Sequence, residues 1–84
     1  MKYKIFEKVN IEKFEEGAIL STEGKESVVC LGKYECEILD ILLENEFVEA
    51  VNILVDKYQG NTIENDLSEF CVKLFDLGIL QIKE

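Results

Sequence analysis

Along the first third of the chain apolar positions tend to recur every second residue, and along the rest every third or fourth. That change of period separates a strand-forming segment from a helix-forming one. In residues 2–9, Tyr3, Ile5 and Val9 share one face of an alternating pattern. A second run, residues 11–14, also has strand character, and the pattern leaves open which of the two pairs with the next strand. Glu16-Gly17 reads as a turn and residues 18–21 as a short strand. Glu23-Gly24-Lys25 is a second turn signal, its glycine available for a positive φ. Residues 27–31 are apolar and β-branched, which suits a strand. Together these predict a small three-stranded antiparallel sheet made of hairpins.

Helical spacing takes over at Lys33. Residues 33–43 place Tyr34, Ile38, Ile41 and Leu42 on one stripe, widened by Leu39 and Leu43. After a polar break at residues 44–46, Phe47, Val51, Leu54, Val55 and Tyr58 recur at helical spacing, and Gly60 is expected to stop that helix. Asn61 or Thr62 caps a third helix over residues 63–77, ended by Gly78, and residues 79–82 suit a last strand. At about 100° per residue, Ile63, Leu67, Phe70, Leu74 and Leu77 cluster, while Cys71 and Phe75 extend the stripe to one side. The resulting arc of roughly 160° exceeds the ~100° of an ordinary surface helix. Such a helix is expected to touch the other helices and something else as well. Val72 stands alone on the opposite face.

Composition narrows the picture. Eighty-four residues make one domain, and 48% hydrophobic content without proline supplies a compact core needing neither metal nor disulfides. A formal net charge of −9 repels nucleic acid and anionic lipid and favours cationic partners or basic peptides. The three cysteines, Cys30, Cys36 and Cys71, match no metal spacing and are odd in number, so they read as reduced thiols of a cytoplasmic protein and as small core residues. The start of the chain lacks the apolar stretch of a signal peptide, and no run has the length of a membrane span.

Without histidine there is no His-based triad, His-ligated metal or imidazole shuttle. The five glycines are scattered turn and cap residues rather than a phosphate loop, and the carboxylates read as a solvated surface. The expectation is a chain with no catalytic residue, no metal and no cofactor, hence not an enzyme.

A small sheet followed by three helices is the order of a winged helix-turn-helix, an α+β fold. It also resembles the PqqD-like family, the recognition elements of pathways that modify ribosomally made peptides. Gly17-Ala18-Ile19-Leu20 resembles the family's glycine turn and apolar strand, and Thr22-Glu23-Gly24-Lys25 its second turn. Leu31-Gly32-Lys33-Tyr34-Glu35-Cys36-Glu37-Ile38-Leu39 matches the family's Leu-Asn-x-x-Gly-Ala-x-Ile-Trp in part: Leu31 and Ile38 fit and Cys36 replaces alanine, whereas Glu35 and Leu39 depart from glycine and tryptophan. The run from Phe47 through Tyr58 resembles Thr-Val-x-Glu-Ile ending in tyrosine. Asp66-Leu67-Ser68-Glu69-Phe70-Cys71-Val72-Lys73-Leu74, followed by Gly78-Ile79-Leu80, matches the family's ending closely. The likeness spans residues 14–80.

This resemblance implies that the leader peptide of a precursor adds as an extra strand to a sheet edge, in a groove between that edge and the third helix. Ser27, Val28, Val29, Cys30 and Leu31 would form the edge, and Asp66, Phe70 and Lys73 the helix side. The domain would present its peptide to a separate modifying enzyme, such as a radical SAM enzyme, a protease or a cyclase. For Phe70 the plain alternative is core packing, for Asp66 a favourable place near a helix start, and for Lys73 a solvated lysine. Two other functions compete. A winged-helix DNA-binding regulator would need cations on its recognition helix, and here Lys73 faces Asp66, Glu69 and Asp76. An interaction module without peptide substrate would use the same edge for pairing, leaving a monomer or a weak dimer.

Overall fold

The computed structural model describes residues 2–24 and 28–83. Its elements run β1 (Lys2–Ile5), β2 (Val9–Phe14), β3 (Gly17–Thr22), β4 (Val28–Gly32), α1 (Lys33–Glu44), α2 (Phe47–Tyr58), α3 (Ile63–Asp76) and β5 (Leu80–Lys83). The α+β architecture is the expected one, a small antiparallel sheet followed by three helices, with a two-stranded ribbon added.

Both early runs are strands, in different sheets. β2, β3 and β4 form an antiparallel sheet in that order, whereas β1 pairs with β5. Residues 2–9 are therefore not one strand. The chain turns after Ile5, where the Phe6 amide donates to the Ile79 carbonyl at 2.8 Å and the Val9 amide to the Phe6 carbonyl at 3.0 Å. Tyr3 and Val9 thus belong to different sheets, which local alternation cannot reveal. The first hairpin turns at Glu15-Glu16, one residue early, because Gly17 already pairs with Phe14. Gly17 also faces Gly32, and a Cβ there would run into the Leu31 carbonyl oxygen. Glycine is what lets β3 and β4 approach at this point.

The helix ends have identifiable causes. Gly32 precedes α1 with no side chain to cap it, and Glu35 reaches back to accept the Gly32 amide at 3.0 Å. At the other end Asn45 Nδ2 donates to the Ile41 carbonyl at 3.0 Å, satisfying one open carbonyl. α2 is closed by Gln59 rather than by Gly60: Gln59 takes φ 53°, and its amide donates to the Val55 carbonyl at 2.7 Å. A left-handed non-glycine residue costs roughly 1 kcal/mol. α3 ends in a Schellman motif around Gly78 at φ 74°: the Gly78 amide donates to Phe75 at 3.0 Å and the Ile79 amide to Leu74 at 2.9 Å.

α1 is the centre of the packing, lying against β1, β3, β4 and α2, while α3 packs on α2 and β5. The core joins Tyr3, Leu20, Leu31, Leu42, Leu54, Leu74, Ile79 and Leu80, with Tyr3 set edge-on to Phe75 at 5.9 Å. Two expected stripes are rotated. On α1 the buried positions are Leu39 and Leu42, and Tyr34 is 69% exposed. On α3 they are Leu67, Cys71 and Leu74, so Phe70 stands at the margin, half-buried. The cause is shared: each helix turns its most crowded apolar line to its packing neighbours, α1 to the strands and α2, α3 to α2 and β5, and leaves a flank to solvent.

Candidate functional site

β4 is an edge of the three-stranded sheet, paired with β3 alone. Its register sets Val28 against Ser21, Val29 against Leu20, Cys30 against Ile19 and Leu31 against Ala18. Alternation sends Val29 and Leu31 into the core, while Val28 and Cys30 are exposed. Cys30 is therefore not the small core residue that its apolar neighbours suggested. It stands mid-strand on the outer face, and its position shows only once strand parity is known. Ser27 lies outside the described residues. The edge presents no charged side chain within Val28–Gly32. Such an edge has unpaired main-chain groups at alternate residues, a template for another strand.

The helix-side residues fall into two places. Asp66 and Phe70 line a cavity of about 220 Å³ among the three helices, with Ile38, Leu54, Tyr58, Ile63 and Leu67. Lys73 lies on another part of α3, beside Ser68, Glu69, Val72, Asp76 and Leu77. At the cavity rim Asp66 is exposed and accepts a hydrogen bond from Thr62 Oγ1 at 3.1 Å. Its amide donates to the Thr62 carbonyl at 2.9 Å, so this carboxylate also sits in the first turn of α3, where the helix dipole favours it.

Sequence reading missed Tyr58 as a site residue, along with its network. Tyr58 lines the cavity, its hydroxyl donates to Glu37 Oε2 at 3.2 Å, and its ring meets Tyr34 edge-on at 6.4 Å. Lys57 forms an ion pair with Glu37 and lies over the Tyr58 ring. Tyr34 follows β4 by two residues, and the ring it meets, Tyr58, lines the cavity. The sequence signal was the contradiction of two tyrosines at otherwise apolar stripe positions.

Cys30, Cys36 and Cys71 form no disulfide. Burial pushes the Cys71 thiol up, and burial together with Asp40 and Glu35 does the same for Cys36, against a smaller opposing pull from Lys13. Both are therefore protonated at neutral pH, the reverse of what a thiolate nucleophile requires. Burial, with a smaller contribution from Cys71, also raises Tyr3. Among the described residues no group of three or more His, Cys, Asp or Glu side chains is placed to hold a metal ion. No helix there is long and apolar enough to cross a membrane.

A scan of protein-family models and a sequence search of curated proteins find no match to this chain. Solved structures do match. One is a lasso peptide synthetase B1 complexed with the leader peptide, with a TM-score of 0.86 and 14% identity, covering 98% of this chain and 100% of that one. Another is TbiB1 in complex with the TbiA(beta) leader peptide, with a TM-score of 0.81 and 22% identity, covering 100% of this chain and 99% of that one. The chain has the fold of these two proteins. The likeness runs end to end, so the β1–β5 ribbon belongs to the shared architecture as much as the winged core does.

Proposed function

We propose that this chain is a non-catalytic peptide-recognition domain, similar to the PqqD-like recognition elements, that binds the leader segment of a ribosomally made precursor by strand addition along β4. The observation carrying this reading is the uncharged, open β4 edge, in a fold shared over its whole length with two proteins solved with leader peptides. Main-chain pairing supplies affinity at such an edge and side-chain pockets supply selectivity. Val28, Val29, Cys30 and Leu31 provide the strand, and Asp66 and Phe70 the helical side. Lys73, on a separate patch, is left to the rim or to solvent.

The domain works as an adaptor. It holds the precursor while a separate enzyme, of the radical SAM, protease or cyclase class, modifies it. Cytoplasmic residence fits three free thiols. DNA binding is disfavoured by charge: residues 33–76 hold eleven acids against three lysines, and Lys73 is the only base on α3.

The test is a titration of fluorescent synthetic leader peptides, taken from the precursor encoded nearest the gene, with duplex DNA as the control. Saturable peptide binding without DNA binding is expected. A stable dimer that leader peptide does not dissolve, or a DNA signal, would overturn the reading.

A further inference from the structure

Charge is distributed unevenly over this acidic chain. The β1–β5 ribbon and the turns that join it to the rest, residues 2–8 and 79–83, hold four lysines and one acid, Glu7, whereas residues 33–76 hold eleven acids and three lysines. Strand alternation sorts the ribbon into two faces. Tyr3 and Leu80 are buried, with Tyr3 edge-on to Phe75, so one face is fixed to the core. Lys2, Lys4 and Lys83 are exposed on the other. The register sets Lys2 directly against Lys83 and Lys4 against Gln81. Like charges opposed across a strand pair are destabilising, and among the described residues no carboxylate forms an ion pair with any of these three lysines. Beside Lys4 the surface dips into a concavity of about 380 Å³ lined by Lys4, Ile5, Phe6, Glu7 and Gln81.

We infer that this basic face of the ribbon is the surface on which the modifying enzyme docks, through an acidic patch of that enzyme. The inference rests on the adaptor reading and deepens it by giving the second partner a place. An adaptor holds enzyme and peptide at once, so the two need separate surfaces. The ribbon shares no pairing with β4, and the chain passes from it into β2, the edge of the three-stranded sheet opposite β4. Occupying the ribbon therefore leaves the main-chain groups of β4 open. Charge selects the partner and its place. An acidic protein surface relieves the repulsion between Lys2 and Lys83, and the acidic helices repel it, which confines docking to the ribbon. Glu7, in the wall of the concavity, opposes an acid there and sets the strongest contact at the Lys2–Lys83 end. The buried back of the ribbon holds the lysine backbones on one face, so docking orders little beyond the lysine side chains themselves.

The experiment uses the full chain, synthetic leader peptide and the purified modifying enzyme encoded beside the gene. Affinities for enzyme and for peptide are measured separately, over a range of salt, with circular dichroism checking each fold. The variants are Lys83→Glu, the triple Lys2→Glu/Lys4→Glu/Lys83→Glu, and Lys13→Glu on β2 as the control. The triple variant is expected to bind the enzyme about tenfold more weakly or worse and the peptide as wild type does, while Lys13→Glu changes neither. Enzyme affinity of the wild type falls as salt rises, and that of the triple variant does not. Lys83→Glu turns the like-charge pair into an opposite one. It should therefore unfold at an equal or higher urea concentration than wild type and yet dock a fewfold more weakly, a split that a merely structural role would not produce. Hexaglutamate, as a free acidic probe, displaces the enzyme and leaves the peptide bound. An enzyme that does not bind the domain, or binds the triple variant as well as wild type, overturns the inference and leaves peptide recognition standing. Binding of duplex DNA, of phosphatidylserine vesicles or of a second copy of this chain in place of the enzyme, lost in the triple variant, overturns it as well. A domain that docks on the enzyme but takes no leader peptide overturns the strand-addition reading instead.

Discussion

The three-stranded sheet has two edges, and they are built differently. β2 carries Glu12 and Lys13 and ends at Phe14, whereas β4 carries Val28, Val29, Cys30, Leu31 and Gly32. Charged side chains on an edge strand discourage pairing with another chain, since a second strand would have to desolvate or oppose them. The β2 edge has this protection and the β4 edge lacks it. Their surroundings differ too: β4 leads directly into α1 and the tyrosine pair, while β2 turns back through the exposed Glu15-Glu16. One sheet thus contains a guarded edge and an open one. An edge left unguarded is a liability unless something covers it, and that contrast points to β4.

The largest expected effect tests how β4 is held in place. Gly17→Ala pushes a methyl against the Leu31 carbonyl and should cost about 2–4 kcal/mol, read as a lowered midpoint in urea unfolding. An unchanged midpoint would mean that the β3–β4 approach is looser than described. A proline scan of both edges comes next. Where the replaced amide points outward, proline in β4 should leave the fold intact and weaken leader binding about tenfold, the equivalent of one strand hydrogen bond. Where it points to β3, the fold itself suffers. The same scan through Asn10, Ile11 and Glu12 of β2 should divide in the same way but leave affinity unaltered in every folded variant. Equal losses at both edges would erase the distinction between them.

A smaller change transfers the guard. Cys30→Lys puts a charge on the outer face of β4 and should weaken leader binding a fewfold with little effect on stability, because Cys30 is exposed. The smallest effect serves as a control independent of either edge. Burial raises the Cys36 and Cys71 thiols above their ordinary values. Unfolded thiols ionise near pH 8.5 while the folded ones hold their protons. Stability is therefore complete below that pH and falls as pH rises through the alkaline range. Cys71→Ala should flatten this decline, and a pH-independent midpoint between 7 and 10 would contradict it.

Most of the fold was legible because its two segments repeat with different periods. The sheet-then-helices order, three helix positions and the Gly78 stop are all consequences of local pattern. The guarded and open edges were only half legible. That residues 27–31 form an uncharged strand is visible in the residues, but that the strand ends the sheet is a fact of pairing. Cys30 shows the limit well: its neighbours are apolar, so it reads as core, yet strand parity places it outside. Tyr34 and Tyr58 show another. Each sits on an apolar stripe by spacing, and each turns to the flank because Leu39, Leu42, Ala50 and Leu54 occupy the interior line.

What the sequence determined by itself is whatever depends on neighbours a few residues apart: element type, most boundaries, the acidic surface and the lack of histidine chemistry. Spacing of three or four residues sets a helical face and alternation sets a strand face, whatever the rest of the chain does. Tertiary structure alone decided what depends on distant partners. It split the two N-terminal runs between sheets, because β1 finds its partner in β5 at the far end of the chain. It chose which flank of each helix faces water, and it brought Ile38, Tyr58 and α3 around one cavity. Those choices rest on packing between segments widely separated in sequence, where many pairings satisfy the local pattern and only one fills the core.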